Sequence, residues 1–214
     1  MPEDVARILG LDGADGAGRR ARLETYVAAL VKWQRRINLI GPATVADIWH
    51  RHILDCGQLA SLISAEPLRI CDLGSGAGLP GLVLAALDIG AGEGGCLDLV
   101  ESDSRKAAFL REANRLMGIH ARIENRRIEE MAETGAEGYD VITARALAPL
   151  PKLLEMSNNL LKTGGKLLFL KGKTGDAELT ESEKAWKMRA TKMPSASDSE
   201  GVILLIKDLE RRHG

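Results

Sequence analysis

Residues 69–81 constrain the fold more than any other part of this 214-residue chain. A short apolar run, Arg69-Ile70-Cys71, closes on Asp72. A turn holding Gly74, Gly76, Gly78 and Gly81 follows, and apolar residues resume at Leu82, Val83, Leu84, Ala85 and Leu87. The pattern predicts a strand, a turn sized for a phosphate or a nucleotide, and a helix. Glycines let the main chain turn sharply and let a ligand approach it without meeting a Cβ. The helix that follows aims its free N–H groups and positive dipole end at that turn. Pro80 suits the first turn of such a helix, where no donor is needed.

Three readings of the turn compete. Gly76 to Gly81 spell G-x-G-x-x-G, and Glu101 stands where a ribose-binding acid is expected in a dinucleotide fold. Taken from Asp72 to Gly78, the same turn resembles the first motif of class I S-adenosylmethionine methyltransferases. That resemblance implies that Asp72 lies near the methionine part of the cofactor and that the glycine loop passes beneath it. Glu101, closing the run Leu97-Asp98-Leu99-Val100, then accepts both ribose hydroxyls, since a carboxylate offers two acceptor oxygens. The third reading is a strand-to-helix turn with no ligand.

The chain is long enough for one domain with an appendage and a large core. A net charge of -1 argues neither for nor against a nucleic acid partner. Cys56, Cys71 and Cys96 have no metal-ligand spacing. Cys71 and Cys96 fall in predicted buried strands, as reduced thiols of a cytosolic protein would. No secretory pattern opens the sequence, and no apolar run reaches membrane length. A cytoplasmic monomer with no membrane association and no metal is expected.

Residues 1–66 read as a helical extension and residues 67–214 as the main unit. A short helix is predicted over Pro2–Gly10 and a loop over Gly10–Gly18. From Arg19, apolar residues recur at helical spacing through Leu23, Tyr26, Val27, Leu30, Val31 and Trp33, up to a stop at Gly41-Pro42. Thr44 is expected to cap a second helix carrying His52 and Asp55. These two share a helix face and are candidates to touch substrate; a metal site would need further ligands. The first long helix gathers Arg19, Arg20, Arg22, Lys32, Arg35 and Arg36. Such a cluster is either a solvated face or a surface for RNA phosphates.

Beyond the glycine loop, strands and helices alternate. Strands are expected at 96–101, 120–124, 139–143, 166–170 and 202–206, with a weaker one near 190–193. Helices are expected at 104–117, from 126, at 150–161 and at 178–188, with Gly164-Gly165 stopping the third of these. Alternation implies a parallel sheet covered on both faces, with ligands beyond the carboxyl ends of its strands. Asp72, the glycine loop, Glu101, Ile128, Glu129, Arg145 and Lys171 should meet there.

The sequence resembles one family closely, the bacterial small-subunit ribosomal RNA guanine-N7 methyltransferases (RsmG, also called glucose-inhibited division protein B). The resemblance runs from about Tyr26 to the C-terminus. It is carried by Trp33-Gln34-Arg35-Arg36-Ile37-Asn38-Leu39, Arg51-His52-Ile53-Leu54-Asp55, the motif from Asp72 to Gly81, Arg127-Ile128-Glu129-Glu130, Thr143-Ala144-Arg145-Ala146 and Leu170-Lys171-Gly172. Gln34, Ile40 and Cys56 depart from residues common in the family. The resemblance implies a Rossmann-like, mostly parallel seven-stranded α/β sheet with helices on both faces and an N-terminal helical extension. It implies methyl transfer from S-adenosylmethionine to guanine N7 near position 527 of 16S rRNA, in the 530 loop, with naked rRNA or the small subunit as substrate. Cofactor contacts are implied at Gly74, Leu79, Ile128, Glu129 and Arg145. The general methyltransferase pattern adds Asp72, Gly76 and Glu101.

Guanine N7 carries a free in-plane lone pair and no proton, so this reaction needs no general base. Alignment should supply most of the catalysis. His52, Asp55, Arg145 and Lys171 are therefore candidates for positioning substrate, and Lys171 and Lys173 join the α-helical cations as RNA-binding candidates. Three other functions remain open on residues alone. A nicotinamide dehydrogenase would need a Tyr-x-x-x-Lys pattern, which is not evident. A small-molecule or protein methyltransferase would share the fold. A non-enzymatic RNA-binding protein would want more stacking platforms than an aromatic content of 3% provides.

Overall fold

The computed structural model describes residues 1–64, 66–132 and 138–212. Seven strands form one sheet: β1 Arg69–Leu73, β2 Cys96–Val100, β3 Arg122–Glu124, β4 Tyr139–Arg145, β5 Leu161–Lys171, β6 Trp186–Pro194 and β7 Val202–Arg211, in the order β3-β2-β1-β4-β5-β7-β6. Pairing is parallel from β3 through β5, while β7 runs antiparallel to both β5 and β6. The order reverses at β1, whose neighbours are β2 and β4. The carboxyl ends of β1 and β4 therefore open a crevice there.

The helices are α1 Glu3–Ile8, α2 Ala17–Gln34, α3 Asp55–Gly57, α4 Gly81–Ala86, α5 Ser104–Met117, α6 Glu129–Ala132, α7 Leu150–Asn158 and α8 Gly175–Ser182. Two cores result, one on each face of the sheet. One holds Ile70, Leu97, Leu99, Val141 and Leu168 with α4, α5 and the N-terminal helical segment. The other holds Cys71, Leu73, Val100, Ile142 and Phe169 with α7 and Trp186. Adjacent strand residues point to opposite faces, so a strand buried on both sides reads as a continuous apolar run.

The N-terminal segment is part of the first core. On α2, Tyr26 and Trp33 meet the α5 residue Phe109 at ring-centroid distances of 6.3 and 5.8 Å. The Tyr26 hydroxyl also donates to the Ala77 carbonyl of the glycine loop at 2.6 Å. An apolar contact face and one polar tip suit a tyrosine at such a boundary.

Several elements differ from expectation. The helix α2 ends at Gln34, well before Gly41, because the Gln34 side chain accepts from the amides of Leu39 and Ile40 and donates to the Ile40 carbonyl. These bonds substitute for helical ones and turn the chain. Thr44 caps no helix: its hydroxyl donates to the Gly41 carbonyl at 2.8 Å inside a 3-10 stretch, Pro42–Asp47. His52 lies in a π-helix, Trp49–Leu54, that runs into α3. Gly164-Gly165 does not stop α7, which ends at Asn158. The pair lies within β5, with Gly164 at φ +78°, where the register against β4 shifts. The helix expected to reach Met188 stops at Ser182, and a strand begins at Trp186. From there Trp186, Met188 and Ala190 alternate with Lys187, Arg189 and Thr191, which is the period of an edge strand. Cys96 is only partly buried at the start of β2, whereas Cys56 and Cys71 are buried, and burial pushes both of those thiols up. The expected boundary between residues 66 and 67 adjoins Ala65, which lies outside the described residues. Among the described residues, no helix is long and apolar enough to cross a membrane.

Tyr26→Phe keeps the ring packing and removes the donor to Ala77. Chemical denaturation should show a loss of about 1–2 kcal/mol, the cost of leaving a buried carbonyl without its partner. An unchanged midpoint would mean that the bond does not hold the loop.

Candidate functional site

A cavity of about 510 Å³ opens at the carboxyl ends of β1, β4 and β5. Its floor is the glycine loop, from Gly74 to Leu79. One wall comes from the N-terminal segment, with Ile40, Arg51, His52 and Asp55. The opposite wall comes from Arg145, Lys171 and the β6–β7 loop residues Ser197 and Asp198.

Asp72 is fully buried beneath the loop, away from the cavity wall. Its carboxylate accepts from the Thr143 hydroxyl of β4 at 2.8 Å and from the Gly81 amide at 3.0 Å. Burial raises its pKa to about 6, against the pull of these hydrogen bonds. A Cβ on Gly81 would stand 2.7 Å from Asp72 Oδ2, which explains glycine at the start of α4. Gly74 has φ +62°, and a Cβ there would collide with Leu147 at 2.5 Å.

Glu101, directly after β2, is 7% exposed and sits behind the glycine loop, off the cavity wall. Its oxygens accept from the Gly76 amide at 2.9 Å and the Asp103 amide at 2.7 Å. Each oxygen keeps one acceptor position, which fits a diol. Asp103 also caps α5. Ile128 packs against the second core and Glu129 opens α6, exposed; neither reaches the cavity wall.

Arg145, the last residue of β4, is held on three sides. Its Nε donates to Asp55 Oδ2 at 2.9 Å, Nη1 to His52 Nδ1 at 3.0 Å, and Nη2 to the Arg51 carbonyl at 2.9 Å. Guanidinium has five N–H donors, so two remain for a ligand. Because arginine only donates, His52 Nδ1 must accept. Its Nε2–H then donates to Thr44 Oγ1 at 2.7 Å, and the Thr44 hydroxyl donates to the Gly41 carbonyl. This directed relay needs a neutral imidazole. Burial first, and then the charge of Arg145, lower the His52 pKa to about 4.

Lys171 touches the cavity, but its ammonium donates to the Ala148 carbonyl at 2.9 Å and pairs with Glu178 at 2.7 Å, with its side chain 9% exposed. It ties β5 to α8 and is not free for RNA phosphate. The basic cluster of α2 divides. Arg19 and Arg22 pair with Asp88, and Arg20 pairs with Glu24, at one end of the helix. Lys32, Arg35 and Arg36 are exposed at the other end. Arg35 and Arg36 line a groove with Asn38, Arg105 and Lys106, and Lys106 lines the main cavity too. Lys173 is exposed beyond β5. Tyr26, Lys106 and the serines of the β6–β7 loop carry no motif, and sequence reasoning passed over them. Among the described residues, no group of three or more His, Cys, Asp or Glu is placed to hold a metal ion.

The strand order, the two helical layers and a glycine loop at the reversal of the sheet define a class I methyltransferase fold. The chain superposes on an O-methyltransferase from Bacillus cereus in complex with SAH, with a TM-score of 0.57 and 14% identity over 86% of this chain and 90% of that one. It superposes likewise on a ribosomal protein L11 methylase from Lactobacillus delbrueckii subsp. bulgaricus, with a TM-score of 0.54 and 21% identity over 73% and 78% of the two chains. Residues 19–203 match the family model GidB, rRNA small subunit methyltransferase G. Two proteins named Ribosomal RNA small subunit methyltransferase G are close in sequence. The one from Paramagnetospirillum magneticum is 50% identical over 190 residues, covering 89% of each chain. The one from a Methylobacterium species is 45% identical over 210 residues, covering 98% of this chain and 97% of its own. The chain belongs to the rRNA small subunit methyltransferase G family.

The neutral relay sets a pH signature. The folded pKa of His52 lies below its ordinary 6.5, so its contribution to stability is present above pH 6.5 and lost as pH falls toward 4. Asp72 acts in the opposite sense, since its raised pKa costs stability as pH rises from 3.8 through about 6. Comparison with His52→Gln isolates the histidine. Denaturation midpoints should converge on acidification by an amount on the order of 1–3 kcal/mol. Parallel curves would show that His52 titrates normally.

Proposed function

We propose that this chain methylates N7 of a single guanine of small-subunit rRNA, at position 527 in the 530 loop, without a general base. Methylation of small-subunit rRNA with S-adenosylmethionine as donor is the activity of the family. The atom and the position are the finer reading. The observation that carries it is the state of the histidine beside Arg145. His52 is a neutral imidazole with both nitrogens engaged, so it has no vacant position to take a proton. Asp55 is committed on one oxygen to Arg145 and on the other to the hydroxyls of Ser195 and Ser197. N7 is a guanine ring nitrogen whose in-plane lone pair carries no proton, and it lies beside O6 on the major-groove edge, where a forked donor can hold the base.

S-adenosylmethionine supplies an electrophilic methyl group on a sulfonium. The loop from Gly74 to Leu79 would line the cofactor's path and Glu101 would accept its ribose hydroxyls, while Ile128 and Glu129 lie off the cavity wall and are assigned to the adenine by the family resemblance alone. Asp72 serves by holding the loop in shape. Arg145 offers its two remaining N–H groups to guanine O6. A donor at O6 fixes the base in its plane and turns the neighbouring N7 toward the methyl group, which is an orientation effect. The guanine gains positive charge as the methyl arrives, and a lone guanidinium at O6 would oppose this. Asp55, 2.9 Å from Arg145, offsets that charge. Lys32, Arg35, Arg36, Lys106 and Lys173 bind flanking phosphates. Arg19, Arg20 and Arg22 have acidic partners already and contribute less.

The test uses small subunits lacking the modification and labelled S-adenosylmethionine, with the product mapped by cleavage at N7-methylguanine. One labelled guanine at position 527 is expected. Label at another atom or at several guanines would overturn the reading. In the same assay, Arg145→Lys keeps the charge but loses the three-sided anchorage. It should lower the rate of transfer at least about tenfold, because a lysine point charge does not replace a forked donor.

A further inference from the structure

We infer that Ser195 and Ser197, in the loop between β6 and β7, are positioning residues for Arg145 and act on it through the carboxylate of Asp55. The inference deepens the reading of Arg145 given above and rests on it.

Asp55 is where three distant parts of the chain meet. Its Oδ2 accepts from Arg145 Nε. Its Oδ1 accepts from the Ser197 hydroxyl at 2.7 Å, the Ser195 hydroxyl at 3.1 Å and the Gln58 amide at 3.2 Å. The serines lie 140 and 142 residues away in sequence. The loop that carries them is itself built to face Asp55. Ser195 Oγ accepts from the Ser197 amide at 3.1 Å and from Gln58 Nε2 at 3.1 Å, and the Ala196 amide donates to Gln58 Oε1 at 2.8 Å. The two hydroxyls also lie 2.9 Å apart, so Ser195 donates either to Asp55 directly or to Ser197, which donates to Asp55; on both arrangements the pair is aimed at Oδ1. Arg51, whose carbonyl holds Arg145, pairs in turn with Asp198 of the same loop at 2.9 Å.

A carboxylate bonded on one oxygen only can rotate about its χ2 torsion, which is soft. Donors on Oδ1 fix that rotation, so Oδ2 stays aimed at Nε and the guanidinium keeps its direction. Hydrogen bonds to an ionised acceptor are among the stronger ones, and here each donor sits on a partly buried group. The loop lies at the carboxyl end of β5, since Val202 pairs with Lys171, and Ser197 also lines the cavity. The antiparallel hairpin thus reaches back to orient a residue of the parallel half of the sheet.

Methyl transfer to unmodified small subunits is measured for Ser197→Ala, the Ser195→Ala/Ser197→Ala double variant, Ser197→Thr, Asp55→Asn and Arg145→Ala, with cofactor affinity and thermal melting recorded for each. The double variant should lose about tenfold in kcat, with KM for subunits and cofactor affinity within twofold of the parent. Ser197→Thr, which keeps the hydroxyl, should stay within twofold. In the Asp55→Asn background the serine changes should cost no more than a further twofold, because their target is already altered. A double variant with full kcat beside an inactive Arg145→Ala would overturn the inference and leave the reading of Arg145 standing. A fully active Arg145→Ala would overturn that reading and the inference with it. Losses that add in the Asp55→Asn background would show that the serines act elsewhere. Should the double variant fail to fold, Ser197→Ala alone is judged by the same criteria.

Discussion

The Asp72 carboxylate has no contact with solvent, and much of the site depends on where it is held. It joins β1 to β4 through Thr143 and fixes the first amide of α4 through Gly81. Those are the two strands on either side of the sheet's reversal and the helix that leaves it. Burying a carboxylate is costly, and its raised pKa records the cost. The return is geometric. With β1 and α4 pinned together, the glycine loop between them has little freedom. Glu101 holds the loop at the Gly76 amide, and Tyr26 holds it at the Ala77 carbonyl. The loop can then present its main chain to a ligand without waiting for the ligand to order it.

A second charge problem lies above the loop. On the reading proposed for Arg145, a sulfonium cofactor and a guanine becoming cationic would both be repelled by a bare arginine at the same spot. The fold answers by surrounding Arg145 with acceptors: a carboxylate, a neutral imidazole and a main-chain carbonyl. What remains is a rigid pair of donors with little net charge. The same acceptors explain why His52 cannot be a proton-transfer group. A histidine that must accept from arginine on one nitrogen and donate to threonine on the other has no vacant position.

The parts of the site that could be read from the sequence are those whose chemistry is local. Asp72, the glycines and Glu101 are spaced by the strand-turn-helix unit itself, so their convergence follows from topology. The spacing of His52 and Asp55 placed them on one face, and both do reach Arg145, though on a π-helix that the apolar pattern did not reveal. What could not be read depends on partners far away in sequence. Lys171 looks like a free strand-end cation until Glu178 and Ala148 are seen to hold it. Arg19, Arg20 and Arg22 look like a phosphate surface until Asp88 and Glu24 are found opposite them. Charge type does not disclose a partner. Ser195, Ser197 and Tyr26 are common residues whose role lies wholly in contacts across the fold. The strand from Trp186 was misread because its alternation begins directly behind a true helix, with only a short turn between.

The fold is shared with solved structures of 14–21% identity, so it defines a place for chemistry without choosing its acceptor. The choice must be made by what stands around the cavity. Here much of the wall is added to the strand ends from outside the alternating strand and helix unit. The N-terminal segment supplies Arg51, His52 and Asp55, and the antiparallel hairpin supplies Ser197 and Asp198. Both bear on Arg145, the N-terminal segment directly through Asp55, His52 and the Arg51 carbonyl, and the hairpin through the serines behind Asp55. If Arg145 sets the direction of the acceptor, as proposed, acceptor geometry becomes a property of how both appendages dock. A change in either appendage would then alter transfer while leaving cofactor binding by the glycine loop in place.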